Sequence, residues 1–232
     1  MSRGTRRWVR RGLLILLAAL LAYQFWFFVR VVWWNFVDPA SSAVMQERLE
    51  AMREKNPQAI LQHRWAPYER ISAHLKRAIV AAEDAHFLDH EGFDWEAMQK
   101  AVEKNLRRRR VVAGGSTISQ QLAKNLFLTN RRTPWRKLQE AGITVMLEAV
   151  MSKRRILELY LNIIEWGEGV FGAEAASRHY YGKSAASLGS GEAARLAAMV
   201  PSPRFYDRNR ETPFLEKKTG LILQRMQSAP VP

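Results

Sequence analysis

Ala78-Ile79-Val80-Ala81-Ala82-Glu83-Asp84-Ala85-His86-Phe87-Leu88-Asp89-His90-Glu91-Gly92-Phe93-Asp94 is the stretch on which the reading of this chain turns. It begins as a small, apolar helix end and becomes abruptly polar. Ser72 is a fair N-cap, and Leu75, Ile79 and Ala82 follow at helical spacing, which predicts a helix whose last turn carries Glu83. A carboxylate there faces the negative end of the helix dipole and has Ile79, Val80 and Ala82 as company. Both effects disfavour its charged form, which is how an acid becomes a base useful near neutral pH. The plain alternative is a solvated helix end with Glu83 bound to Lys76 or Arg77. Against it, His86-Phe87-x-x-His90-x-Gly92-x-Asp94 packs special residues more densely than a solvated turn requires.

Working outward, 232 residues with 47% hydrophobic content can fill the core of one ordinary domain. Without cysteine there is neither a disulfide nor a thiolate metal site. A formal charge of +14 implies an anionic partner: nucleic acid, a lipid surface or a phosphorylated substrate. Arg3, Arg6, Arg7, Arg10 and Arg11 precede an uncharged run from Leu13 to Val29, and Arg30 is followed by more apolar residues. About 20 helical residues cross a hydrocarbon core, so 12–34 is long enough to span if Arg30 snorkels to the far interface. Trp26, Trp33 and Trp34 suit an interfacial belt, and the arginines place residues 1–11 in the cytoplasm and the rest outside. A cleaved signal should stop at a small-residue site; here Tyr23, Phe25, Trp26, Phe27 and Phe28 carry on past Ala22. The outward placement argues against nucleic acid as the partner.

Residues 35–64 read as a linker with an amphipathic helix from Met45 to Lys55, and 61–71 as an irregular or extended connector. Trp95 to Arg110 is a helix ending in four arginines, which form either a mobile solvated loop or a contact for lipid headgroups or a polyanion. Gly114 and Gly115 then lead into Thr117, which with Gln120 forms a capping box. Ile118, Leu122 and Leu126 are that helix's buried stripe, with Gln121, Lys124 and Asn125 pointing elsewhere. The glycines resemble a phosphate cradle, though the P-loop spacing is missing. Thr133-Pro134 opens a helix with Trp135, Leu138, Gly142, Val145 and Ala149 as its packing side, and Glu140 can pair with Arg136. Ser152 caps the next helix, with Ile156, Leu157, Tyr160 and Leu161 as core. A glycine-rich loop spans Glu165 to Gly172; helices follow at 173–181, 192–200 and 211–226. No segment alternates with period two, so the outer part reads as mainly α.

Five runs in this order resemble the signatures of the peptidoglycan glycosyltransferases, glycosyltransferase family 51. They are Glu83-Asp84-x-x-Phe87-x-x-His90-x-Gly92-x-Asp94; Gly114-Gly115-Ser116-Thr117-Ile118-Ser119-Gln120-Gln121-Leu122-Ala123-Lys124-Asn125; Arg136-Lys137-x-x-Glu140; Lys153-x-x-Ile156-Leu157-Glu158-x-Tyr160-Leu161-Asn162; and Gly172-x-x-Ala175-Ala176-x-x-Tyr180-Tyr181-Gly182-Lys183. The likeness covers about 65–205 and departs only locally, at Gly189-Ser190-Gly191, where relatives often have a Pro-containing helix start. It implies a lysozyme-like glycosyltransferase domain, 65–232, behind a single transmembrane helix on the outer face of the bacterial cytoplasmic membrane. An end at residue 232 implies the monofunctional type, without a transpeptidase domain.

The resemblance further implies polymerisation of lipid II, with the growing glycan strand as the other substrate and proteins of cell-wall synthesis or division as candidate partners. Glu83 would be the general base and Glu140 the second family carboxylate, orienting cations or helping to hold a divalent ion at the diphosphate. Mg or Mn is thus left open, and nothing in the sequence requires a cofactor. Lys124 leads the residues expected at the diphosphate, with Arg132, Arg136 and Lys137 behind it and Ser116, Thr117 and Gln121 shaping the donor pocket. Asp84, Phe87, His90, Gly114, Gly115 and Asn125 are supporting residues, His90 as a structural hydrogen-bonder. Three rival readings are a lysozyme-like or lytic transglycosylase that cleaves finished glycan, a membrane-tethered anion-binding adaptor, and a metal hydrolase built on His86, Asp89 and His90.

Overall fold

The computed structural model describes residues 3–110, 114–130 and 133–232, with side chains from residue 6 onward. The chain divides into two compact units, 1–38 and 39–232. The first is one helix, α1 (Arg3–Phe36). Its Arg6–Phe36 portion is long and apolar enough to cross a membrane, with a mean hydropathy of 2.2 over its 18-residue apolar window. Arg30 lies between two indoles, 4.7 Å from the centroid of Trp26 and 4.3 Å from that of Trp34. Such cation–π contact lets a guanidinium sit at an interface among apolar neighbours.

In the second unit ten α-helices, two short 3-10 turns and a small sheet are described, and the mainly α reading holds. The order is α2 (Ala43–Arg53), β1 (Gln62–His63), α3 (Ala73–Glu83), α4 (Trp95–Arg108), α5 (Ile118–Phe127), α6 (Pro134–Val150), α7 (Lys153–Ile163), β2 (Glu165–Gly167), β3 (Val170–Phe171), α8 (Ala173–Tyr181), α9 (Ser190–Met199), α10 (Pro203–Arg208) and α11 (Pro213–Arg225). Caps set several starts: the side chains of Ser42, Ser72, Asp94, Thr117, Thr133, Ser152 and Thr212 each accept an amide of their own first turn. Each such cap contributes about 1 kcal/mol.

Two helical clusters form the core. In one, α9 packs on both α3 and α11; in the other, α5 packs on α2, α6 and α7. Leu75, Ile79 and Val80 of α3 and Ile118, Leu122 and Leu126 of α5 are fully or almost fully buried. α2 belongs to this packing, since its Met45 is also buried.

Two expectations need correction. The Glu165–Gly172 run is not an open loop: β2 and β3 pair antiparallel, and β1 joins β3 in parallel, Gln62 opposite Val170. With strands of two or three residues, no period-two pattern could develop. On α6 the packing side is reversed. Trp135, Leu138 and Val145 are more than half exposed, and Gly142 and Ala149 also face out, while Gln139, Glu140, Ile143, Thr144 and Leu147 face in. The inward face carries polar groups because they find partners there, as where the Thr144 hydroxyl donates to the Glu140 carbonyl at 2.8 Å.

Gly172 connects the sheet to α8 at φ +84°, and a Cβ there would stand 2.7 Å from the Asn162 carbonyl oxygen. Gly172→Ala therefore meets both left-handed strain and an immovable backbone atom. Denaturant unfolding should show a loss of at least about 2 kcal/mol; an unchanged midpoint would contradict this packing.

Candidate active site

The site lies where the end of α3 meets the flank of α5. Glu83 is the last residue of α3, and its neighbour Asp84 turns the chain out of the helix at φ −162°. Asp84 does not face solvent. One carboxylate oxygen accepts from His90 Nε2 at 2.9 Å, the other from the backbone N–H of Ile118 at 2.9 Å. His90 Nδ1 in turn accepts the Gly92 amide at 3.1 Å, so its proton sits on Nε2 and points at Asp84. Phe87 is fully buried beneath this turn.

Held this way, Glu83 Oε2 accepts from the Gln121 side-chain amide at 2.9 Å. Lys76, one of the two partners a solvated helix end would use, turns away: its ammonium donates to the Tyr68 carbonyl at 3.1 Å and lies over the Tyr68 ring. Gln121 is itself oriented by Tyr160, whose hydroxyl donates to its Oε1 at 3.0 Å. The amide therefore presents N–H, not C=O, to the carboxylate. Burial pushes the Glu83 carboxyl above the ordinary carboxylate range; the Gln121 bond, Lys218 and Lys124 pull it back, and Asp84 adds to the rise.

Beside Gln121 opens a cleft of about 720 Å³, lined at one end by Ser116, Gln121, Lys124, Arg136, Lys137 and Glu140. Asn125 also lines it, its amide donating to the Gln121 carbonyl at 2.7 Å. Glu83 is not among the lining residues; it reaches the cleft through Gln121. Glu140 is buried, with Arg136 Nη1 at 2.6 Å on one oxygen and the Lys137 ammonium on the other. The Lys137 ammonium also reaches the Ser116 hydroxyl at 3.5 Å. Lys124 has no hydrogen-bond or ion-pair partner among the described residues and opens into the cleft. Burial lowers its ammonium pKa, Glu140 opposes that, and Arg136 and Lys137 add to it. A part-desolvated ammonium without a partner is ready to receive an anion.

Two expectations change. Thr117 does not shape the cleft: it is buried, caps α5 and donates to the Gly92 carbonyl at 2.7 Å. The start of α5 also differs from an open anion cradle. The amides of Thr117, Ile118 and Gln120 are already taken by Gln120, Asp84 and Thr117 respectively. Gly115 instead permits contact with α4, since a Cβ would stand 2.9 Å from Met98 Cα, and Gly114 has nothing within 4 Å. Arg132 lies outside the described residues.

The donors around Glu140 do not suit a metal held by the protein, since both its oxygens face cations, and the described residues contain no group of three or more metal-binding side chains. His86 pairs with Asp89 on the surface at 3.4 Å while His90 turns inward, which parts the triad that a metal hydrolase would need. Sequence reading missed the far wall of the cleft, where Glu165 pairs with Arg48 at 2.9 Å and Arg204 at 3.7 Å. It also missed Lys218 and took Tyr160 only as core. A hydroxyl on an otherwise apolar stripe was the available signal for Tyr160; Lys218 left none.

A family profile described as Transglycosylase matches residues 50–227. The chain is 67% identical over 227 residues to the biosynthetic peptidoglycan transglycosylase of Nitrosospira multiformis, covering 98% of this chain and 99% of the relative. Proteins of the same name from Methylobacillus flagellatus and Laribacter hongkongensis are 61% and 60% identical. These alignments cover 96% and 97% of this chain, and 97% and 99% of the relatives.

Removing the hydroxyl in Tyr160→Phe frees the Gln121 amide to rotate and leaves its oxygen short of a donor. Expected are a loss of about 1 kcal/mol in stability and a Glu83 carboxyl that titrates at still higher pH. Carbon-detected NMR titration of the detergent-solubilised protein reads the latter, and an unmoved Glu83 resonance would exclude the Tyr160–Gln121–Glu83 relay.

Proposed function

Because the chain belongs to the peptidoglycan transglycosylase family, we propose that Glu83 is the general base and Lys124 the leading anion-binding group of its glycosyl transfer. The protein is a peptidoglycan glycosyltransferase that polymerises lipid II into glycan strands, passing the chain from a lipid diphosphate donor to the 4-hydroxyl of an acceptor sugar. The fold is the lysozyme-like one of that family.

In the proposed step the acceptor O4 attacks donor C1 with inversion. The O4–C1 bond forms as the C1–O bond to the diphosphate breaks; the proton passes to Glu83 and the electron pair leaves with the diphosphate. Glu83 must be ionised to accept that proton, and its raised pKa makes it a stronger base than an exposed acid. The departing group gathers negative charge, which Lys124 meets directly. Arg136 and Lys137, spaced by Glu140, line the same end of the cleft. Charge-assisted contacts of this kind contribute roughly 1.5–3 kcal/mol each. Any Mg or Mn that takes part would be held by the diphosphate's own oxygens. The observation that carries the reading is the row Glu83–Gln121–Lys124, in which one amide side chain joins a buried acid to a cationic cleft.

The long apolar helix near the N-terminus suits membrane anchoring of a cell-envelope enzyme. We place residues 1–11 in the cytoplasm, 12–34 across the inner membrane and the catalytic domain, 65–232, on the outer side. The exposed stripe Trp135, Leu138 and Val145 on α6, with Trp95, Val102 and Leu106 on α4, offers lipid-facing surface near a lipid-borne substrate. Proteins of cell-wall synthesis or division are the partners this placement suits.

Glu83→Gln should keep the fold and lower polymerisation of purified lipid II by about 10²–10⁴-fold. Polymerisation at the original rate would remove Glu83 from the chemistry, and release of sugars from finished cell wall would favour the cleaving alternative. Lys124→Met should slow donor use about tenfold or more while the melting temperature stays close to that of the parent. An unaltered rate would take Lys124 out of the diphosphate site.

A further inference from the structure

We propose that Lys218, outside the cleft and on helix α11, is a positioning residue: a counter-charge that holds Glu83 as a carboxylate ready to accept a proton. The proposal rests on Glu83 being the base.

The geometry begins with packing. α11 lies against both α9 and α3, and α3 ends at Glu83. From α11 the Lys218 ammonium donates to the backbone carbonyl of Ala198 at 3.2 Å. Ala198 is next to the last residue of α9, where carbonyls lack partners within their own helix. The ammonium is thus fixed at the negative end of α9 while acting electrostatically on the acid that closes α3.

Each group facing Glu83 plays a different part. From α5 come the Gln121 amide and Lys124; from α7 Tyr160, which orients Gln121; from the adjoining turn Asp84, whose charge opposes ionisation; and from α11 Lys218. Of the two lysines, Lys124 lines the cleft and Lys218 does not. An anionic diphosphate on Lys124 neutralises the charge that this residue offers Glu83. Burial lowers the Lys218 ammonium pKa and Glu83 opposes that; standing outside the cleft, Lys218 does not meet the diphosphate, so its charge stays with the base when the first lysine is occupied. A simpler role as a helix cap for α9 would use the same hydrogen bond without needing the charge.

Charge and hydrogen bond separate in variants. Lys218→Gln keeps a donor for Ala198 and loses the charge; Lys218→Met loses both; Lys218→Arg keeps both. Initial rates on purified lipid II in detergent, followed from about pH 6 to about pH 8, read the acid limb. A base whose counter-charge is lost binds its proton more tightly, so the limb moves to higher pH. In Gln and Met the rate at the acid end should fall several-fold relative to the alkaline end, with kcat changed more than KM. Arg should restore the parent profile.

An acid limb that stays in place in Lys218→Gln overturns the proposal, as does a limb that moves equally in Lys218→Arg, since packing alone would then account for it. Lys218→Gln carries the test should the Met variant fold poorly. Glu83→Gln, assayed alongside, keeps the two claims apart. Activity in that variant defeats the base assignment, whereas an inactive Glu83→Gln with an unmoved Lys218→Gln profile defeats only the role given to Lys218.

Discussion

The Asp84 carboxylate is the fastening on which the site depends. With one oxygen it takes the His90 proton and with the other the first amide of α5, so a single side chain joins the end of one helix to the beginning of another. Both groups that it satisfies would otherwise be buried without a partner, and leaving such groups unmet costs about 1–3 kcal/mol apiece. Glu83 is the preceding residue and inherits its position from this junction. Thr117 reinforces it from the α5 side through the Gly92 carbonyl. Gly92 itself adopts φ +89° so close to Thr144 that a Cβ would stand 2.7 Å away.

Around that junction the protein balances burial against charge. Glu83 is deep enough to hold its proton more tightly than a free acid, and Lys124 to hold its own less tightly. A fully apolar pocket would leave Glu83 neutral and unable to act as a base. An open one would leave it a weak base beside a lysine screened by water. Gln121, Tyr160 and the surrounding cations keep the acid between these limits, while Glu140 absorbs the charge of Arg136 and Lys137 and holds them at the wall.

Helix α6 shows how a fold can invert the expected amphipathic pattern. Its apolar residues recur at helical spacing, which ordinarily marks the buried face. Here that stripe is exposed, and the inner face carries Gln139, Glu140 and Thr144. Periodicity identifies a helix and its two sides; it does not say whether the apolar side meets protein or something outside it. The paired glycines before α5 teach a similar lesson. Their pattern fits an anion loop and a close helix contact equally well, and only the packed structure shows that Gly115 lies against Met98 of α4.

Local chemistry settled much in advance. Cap residues, apolar spacing and prolines located most helices, the uncharged run near the N-terminus marked the long apolar helix, and five ordered motifs named the family. Those features depend on neighbours within a few residues, so a linear reading reaches them. What the linear reading did not reach was set by residues far apart in the chain: the bond from Asp84 to Ile118, the turn of Tyr160 toward Gln121, the Glu165 pairs with Arg48 and Arg204, and the bond from Lys218 to the Ala198 carbonyl. Such contacts exist only once helices have packed, because a side chain's partner, and with it its charge and role, is chosen by the element that folds against it.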